Sequence, residues 1–267
     1  MGDILDTIVA WKRVEIERQK EELPPRKLYA LAEQTMEEER PSMRESLAGS
    51  PYGIIAEFKR KSPSKGWIHP DAEPLDIIPK YIGNGASALS ILTDEKFFGG
   101  SPDFIQIIHS HLSTLNARTP ILRKDFIVDE YQLFQARWIG ASAVLLIAAD
   151  LTLQECKSLA HKAHELGLEV LLEIHSEQEL DYTEVEVDMV GVNNRNLGTF
   201  HTDVANSFRM ATLLPPGHLW VSESGISHPG TIRELREAGY RGFLIGETFM
   251  KEADPGEALK KFISELQ

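Results

Sequence analysis

From about residue 54 onward, short apolar runs alternate with longer segments whose apolar residues recur at helical spacing. The runs fall at residues 54–59, 88–92, 121–124, 143–148, 170–174, 189–193, 219–223 and 242–245. Several are apolar almost throughout, the pattern of parallel strands covered on both faces. Between them, residues 129–138, 151–166 and 229–238 carry helical patterns, and Gly85, Gly140, Gly167 and Gly239 stand where helices should stop. Strand–helix alternation with right-handed crossovers allows an open doubly wound sheet or a closed barrel. Strands recurring about every 27 residues, in that number, favour an α/β fold of the (β/α)8 TIM-barrel type. No low-complexity linker or second domain interrupts the pattern, so residues 1–267 are expected to form a single barrel domain.

Residues 1–50 precede the first strand as an N-terminal helical extension. Ile4, Ile8, Trp11, Val14 and Ile16 make a partial helical stripe, followed by a charged run over 15–22 and a break at Pro24-Pro25. The polar side of such a helix is solvated, whereas the apolar side needs a surface to cover. Packing against the barrel near its active face is expected; a dimer contact is the competing use.

Charge narrows the partners. There are 41 acidic against 28 basic residues, a formal net charge of −13. That argues against a nucleic-acid surface, which needs clustered Lys and Arg. An anionic ligand must therefore be drawn by a local cationic pocket rather than by the whole-protein field. The single cysteine, Cys156, permits no internal disulfide and no Cys-only metal site, and fits a reducing compartment. No apolar run reaches the roughly 18 residues of a membrane helix. The start, Met1-Gly2-Asp3-Ile4-Leu5-Asp6, is acidic and unlike a signal peptide. The expected setting is the cytoplasm, with no membrane partner and a monomer or weak homodimer.

Active sites in this architecture sit at the C-terminal ends of the strands. In the first run, Glu57 and Lys59 are two apart and share a face. Burying a carboxylate and an ammonium costs several kcal/mol each, so their pairing at a core strand end points to chemistry. The third run ends in Lys124, the fifth in Glu173, the sixth in Asn193 with Arg195 beyond, the seventh in Glu223 and Ser224. Three acids, three bases and an amide would converge on one mouth. After the last two strands, Ser224-Gly225 and Gly246-Glu247 place glycines where such barrels bind phosphate through backbone N–H groups. Glu247 would repel a phosphate if its side chain pointed inward, so only its N–H should serve. His109 and His111 face different ways on a helix, His161 with His164 reads as a solvated pair, and His175 has no third ligand at suitable spacing; no metal is expected. Phe97 and Phe98 either wall an aromatic substrate or pack in the core.

Taken together, these motifs resemble indole-3-glycerol-phosphate synthase, the tryptophan-pathway barrel, over essentially the whole chain. The marks are Ile55-Ala56-Glu57-Phe58-Lys59-Arg60-Lys61-Ser62-Pro63-Ser64, Leu92-Thr93-Asp94 with Phe97-Phe98, and Leu122-Arg123-Lys124-Asp125-Phe126-Ile127. Leu172-Glu173-Ile174-His175, Gly191-Val192-Asn193-Asn194-Arg195-Asn196-Leu197 and Glu223-Ser224-Gly225-Ile226 follow. The resemblance implies closure of 1-(2-carboxyphenylamino)-1-deoxyribulose 5-phosphate to indole-3-glycerol phosphate, with loss of carbon dioxide and water and no cofactor. It makes Lys124 the acid on the ketone oxygen, Glu173 and Glu57 candidate bases, and Lys59 a second acid. Arg195 with Ser62 would hold the substrate carboxylate, and Asn193 and Glu223 would orient sugar hydroxyls and the lysines. Backbone at Ser224, Gly225, Gly246 and Glu247 would take the phosphate, and a loop over 60–74 would close on the ligand. Arg123 reads as a variable neighbour. The rivals are phosphoribosylanthranilate isomerase, which would not require Glu57 with Lys59, and a non-catalytic phosphate-binding barrel, which could do without Lys59 and Lys124.

Overall fold

The computed structural model describes residues 4–196 and 201–266; Met1, Gly2 and Asp3 of the acidic start and Leu197 of the sixth-strand motif lie outside the described residues. Parallel strands β1 (Ile54–Phe58), β2 (Ala88–Leu92), β3 (Ile121–Lys124), β4 (Ala143–Ile147), β5 (Glu169–Ile174), β6 (Met189–Asn193), β7 (Leu219–Glu223) and β8 (Gly242–Ile245) form a barrel. Each pairs with its sequence neighbours, and β1 closes the ring by pairing β2 on one side and β8 on the other. This is the TIM barrel that the alternation of runs predicts.

Side chains divide by the two-residue period of the strands. Ile54, Ala56 and Phe58 of β1 join Val144, Leu146, Val170 and Leu172 in the large apolar layer between strands and helices. Ile55, Leu122, Leu145, Leu171, Met189, Val221 and Leu244 instead fill the barrel interior. Local signals stop and start the intervening helices. Asp129 and Gln132 form a capping box at Glu130–Ile139, Thr152 and Glu155 another at Leu153–Glu165, and Gly140 ends the first of these helices at φ 101°. Among the described residues no helix is long and apolar enough to cross a membrane.

Three helices precede the barrel: α1 (Ile4–Glu22), α2 (Pro25–Glu33) and α3 (Met43–Gly49). Helix α3 plugs the N-terminal end of the barrel, where Met43 and Leu47 pack on Ile55, Leu122 and Met189. Its free N–H groups meet the carboxylate of Glu169, which accepts from Met43 N at 2.7 Å and Arg44 N at 3.0 Å, a favourable place for negative charge. Helix α1 lies at the other end, and Ile4, Leu5 and Ile8 line the cavity at the mouth. Its buried stripe is Leu5, Ile8, Lys12 and Ile16, whereas Val14 is 47% exposed. The sequence stripe through Val14 thus misplaced the face, because it passed over a lysine.

Lys12 is buried by design of its partners. Its Nζ lies 2.9 Å from Asp94 Oδ2, 2.9 Å from Asp125 Oδ1 and 2.5 Å from Glu15 Oε2. Asp94 and Asp125 follow β2 and β3, and Arg123 completes the cluster with 3.0 Å from Nη2 to Asp125 Oδ2 and 2.8 Å from Nη1 to the Gln132 carbonyl. Arg123 is therefore held in place on both sides. Burial alone would raise the Asp125 carboxyl, but Lys12 and Arg123 outweigh it and hold the group down at about 2. Its folded-state value is depressed, so it stabilises the fold above the ordinary range near ~3.9 and loses that contribution as pH falls toward 2.

Replacing Lys12 by Met leaves two buried carboxylates without their shared cation. The expected loss is about 3–5 kcal/mol in urea unfolding, partly recovered by adding Asp94→Asn. A loss within the ~1 kcal/mol of a surface pair would show that the cluster does not anchor α1.

Candidate active site

The C-terminal strand ends surround one cavity. Glu57, Lys59, Lys124, Glu173, Asn193, Arg195, Glu223, Ser224 and Phe98 line it, Ile4, Leu5 and Ile8 of α1 cover it, and Leu145, Ile147 and Leu244 form its apolar floor. Lys124 stands at the centre, its Nζ 2.7 Å from Glu173 Oε2 and 3.3 Å from Glu223 Oε2. Lys59, just past β1, donates to Glu57 Oε1 at 2.6 Å, and Ser90 Oγ donates to Glu57 Oε2 at 3.2 Å. Two glycines make room for these carboxylates. A Cβ at Gly191 would lie 2.1 Å from Glu223 Oε1, and one at Gly246 would lie 2.4 Å from Glu57 Oε1.

Burial pushes each carboxyl up and the cations pull it down, with different winners. For Glu57, Lys59 and Lys124 overcome burial and hold the group below its usual range. For Glu173, Lys124 and His175 overcome burial and hold it well below. Glu223 goes the other way, because burial and the neighbouring Glu173 charge outweigh Lys124 and raise it. Burial would lower Lys124, yet Glu173, Glu223 and Glu57 keep it above the ordinary lysine value. The cavity thus sets carboxyls pushed in opposite directions, Glu57 and Glu173 down and Glu223 up, around the Lys124 ammonium.

A second, more polar cleft of about 400 Å³ adjoins the first and is lined by Ser224, Gly225, Gly246 and Glu247 together with Lys65, Arg195 and Lys251. Ser224 at φ 68° and Gly225 at φ 78° are both left-handed. For a serine this conformation costs about 1–3 kcal/mol and is usually kept where function demands it. Turns of this kind present successive backbone N–H groups to an anion. The Glu247 carboxylate is turned toward Arg195 Nη2 at 3.6 Å and Lys65 Nζ at 3.8 Å.

Of the candidate catalytic, binding and wall residues named from sequence, Ser62 and Phe97 line neither cavity. Ser62 is buried, and its hydroxyl accepts from Lys65 N at 3.2 Å, folding the turn after β1. The hydroxyl that Arg195 meets is that of Ser64, to which Nη1 donates at 3.2 Å. Phe98 faces the cavity and tilts against Phe126 with ring centroids 5.9 Å apart; Phe97 instead closes a turn, its N–H donating to Asp94 Oδ1 at 2.8 Å. Four contributors were not singled out as site residues. Ile4 and Ile8 belong to the apolar stripe expected to pack near the active face, and they line its cavity. Asn194 is buried beside Asn193, donating from Nδ2 to Ser222 Oγ and to the Ser224 carbonyl, each at 3.1 Å, while Oδ1 accepts from Ser207 N at 3.0 Å. Its only signal was a second amide where a strand should end. His175 reaches Glu173 Oε1 at 3.2 Å from Nε2.

Known proteins resemble this chain closely. A family model described as indole-3-glycerol phosphate synthase matches residues 5–262. An indole-3-glycerol phosphate synthase of Bacteroides thetaiotaomicron is 56% identical over 267 residues, covering 100% of both chains. One of Chromobacterium violaceum is 41% identical over 266 residues, covering 98% of each. Among solved structures, 3-hexulose-6-phosphate synthase of Salmonella typhimurium superimposes with a TM-score of 0.61 at 13% identity, over 80% of this chain and 100% of that one. That last likeness is one of fold alone.

Asn194→Ala leaves the Ser207–Ser222 hydroxyl pair but removes the acceptor of the buried Ser207 N–H and a donor to the Ser224 carbonyl, and is expected to cost about 1–3 kcal/mol in urea unfolding. Unchanged stability would show that the β6–β7 ends are held by other contacts.

Proposed function

We infer the reaction from one premise: the chain belongs to the indole-3-glycerol phosphate synthase family. It is a carboxy-lyase of tryptophan biosynthesis, EC 4.1.1.48, acting on a phosphorylated small molecule. The substrate is 1-(2-carboxyphenylamino)-1-deoxy-D-ribulose 5-phosphate, and the mouth of the barrel performs ring closure, decarboxylation and dehydration in turn. The observation that carries this reading is Lys124, an ammonium held between Glu173 and Glu223 in a covered cavity.

Ring closure joins the aromatic carbon bearing the carboxylate to the sugar ketone, and the ketone oxygen becomes negative as the bond forms. The Lys124 ammonium protonates it. Its raised pKa is no obstacle, since an alkoxide is a far stronger base than an amine. Carbon dioxide then leaves and the ring regains aromaticity, with the ring nitrogen supporting the cationic intermediate, so the chemistry asks for no cofactor. Dehydration removes a proton from the carbon beside the nitrogen and a hydroxyl from its neighbour. Glu173 is the base, because it is held ionised. Lys59 is the acid for the departing hydroxyl, kept in place by Glu57. Substrate carboxylate leaves as carbon dioxide and hydroxide as water, so each turnover takes up one proton.

Binding follows from the same walls. Phe98, Ile4 and Ile8 enclose the aromatic ring, and Arg195 with Ser64 holds the carboxylate by charge-assisted hydrogen bonds. Asn193 and Glu223 orient sugar hydroxyls and Lys124. The phosphate sits against backbone at Ser224, Gly225, Gly246 and Glu247, with Lys65 and Lys251 near. The reading extends to a cytoplasmic monomer or weak homodimer: the buried stripe of α1 is covered by its own barrel, and the one thiol, Cys156, is buried.

Lys124→Met is expected to lower turnover by about 10²–10⁴-fold, followed by indole fluorescence with carbon dioxide release in parallel. Affinity for inorganic phosphate should survive; unchanged turnover would remove the mechanism. Gly191→Ala forces the Glu223 carboxylate aside and should lower kcat by about 10²-fold, while Gly49→Ala, whose Cβ meets nothing within 4 Å, should not.

A further inference from the structure

His175 has no part in the steps above, yet it touches the base. The ring sits between two carboxylates, Nε2 lying 3.2 Å from Glu173 Oε1 and Nδ1 3.6 Å from Glu179 Oε2. Glu179 is pinned there, since the same oxygen accepts the His175 backbone N–H at 2.6 Å. Asn206 Nδ2 donates to the carbonyls of His175 and Asn193, each at 3.1 Å, tying the ends of β5 and β6 together. The ring also separates two spaces: Glu173 lines the covered cavity, and His175 lines a polar chamber of about 470 Å³ outside it.

The charges that face this ring come from every neighbouring element. Glu173 shares its strand, and Glu179 follows in the next turn. Asp150 in the turn after β4 interacts electrostatically with the ring, and Asp6 of α1 acts on Asp150. Arg195, Arg209, Asp203 and His201 line the outer chamber, while Lys124 and Glu223 lie beyond Glu173. Burial disfavours an imidazolium, but Glu173 and Glu179 outweigh it and raise His175 to about 10. Asp150 is pushed up to about 8, by burial first and then by Glu173, so it stays largely protonated at neutral pH and competes little for the ring.

Glu173 therefore has one cation on each oxygen, Lys124 on Oε2 and His175 on Oε1. The two differ in what happens during the reaction. Lys124 becomes neutral when it protonates the ketone oxygen, and at that moment Glu173 loses a stabilising charge just before it must act as a base. His175 keeps its charge throughout. We propose that His175 is a positioning residue which, as an imidazolium, clamps Glu173 Oε1 so that the carboxylate stays oriented and ionised after Lys124 has given up its proton. The proposal rests on Glu173 being the base of the dehydration.

Kinetics of His175→Gln across pH test it, because glutamine retains a hydrogen-bond donor and drops the charge. Expected are a KM within about twofold of wild type, a kcat lowered by up to about 10²-fold, and an acid limb of kcat displaced upward by about one to three pH units. The displacement is upward because loss of a neighbouring cation raises a carboxyl pKa, and kcat reports the bound complex. A limb that stays where the wild type has it overturns the proposal even if kcat falls. Glu173→Gln run alongside separates this from the underlying reading. Retained turnover there rejects Glu173 as the base, whereas lost turnover with an unmoved His175→Gln limb rejects the positioning role only. If His175→Gln fails to fold, NMR titration of the His175 ring in the wild-type protein decides. A ring charged well above neutral pH supports the clamp; a neutral ring near pH 7 overturns it.

Discussion

The Lys124 ammonium, shared among three acidic side chains, sets the character of this molecule. Lys124 lies within 3.3 Å of Glu173 and Glu223, and Glu57 feels its charge from β1. Ions taken from water inside a barrel are tolerated only when paired, and even then they contribute little net stability. The inner layer at the carboxyl end is therefore a net cost to the fold, offset elsewhere. What it provides is a set of groups whose proton affinities are pushed apart, which is how one cavity runs acid and base steps at a single pH.

The rest of the architecture accommodates that layer. Apolar packing between strands and helices carries the stability, and α3 seals the opposite end with Met43 and Leu47, so the ionic layer need not support the barrel. At the mouth a second ionic cluster, Lys12 with Asp94, Asp125 and Arg123, fastens α1 to the ends of β2 and β3. The two clusters share an end of the barrel and differ in use. The outer one draws its partners from three elements and lowers its carboxyl Asp125 to about 2, beyond reach of ordinary pH changes. In the inner one Glu223 is pushed up while Glu173 is held down, so charge can redistribute when a substrate oxygen turns negative.

The strands were legible because parallel strands buried on both sides read as uniform apolar runs; five of the observed boundaries, β2, β3, β6, β7 and β8, coincide with those runs. The inward-pointing ends were legible for a related reason, since a polar residue closing an apolar run faces the mouth. Other features depend on contacts that spacing cannot reveal. Lys12 was left out of the stripe, because only Asp94 and Asp125, far along the chain, make a buried lysine acceptable there. Ser62 and Ser64 are alike in sequence, and the turn set by the Ser62 hydroxyl on Lys65 decides that Ser64 faces Arg195. His175 was dismissed for want of metal partners, although two carboxylates suffice to hold an imidazolium.

An acidic protein that takes a doubly anionic substrate needs its attraction to be short-ranged. With a net charge of −13 the distant field opposes approach, and at physiological salt that field fades beyond about 8 Å. Within that distance Lys59, Lys124, Arg195, Lys65 and Lys251 line the two adjoining cavities. Phosphate and carboxylate can each meet a cation only if the sugar chain spans from the β7–β8 rim to the covered chamber. In the proposed binding mode the separation of the two charged ends acts as the measure of the ligand and brings the ketone toward Lys124. In that mode affinity and orientation share one origin: an anion bound at only one end would leave the reacting carbon away from Lys124, the proposed acid.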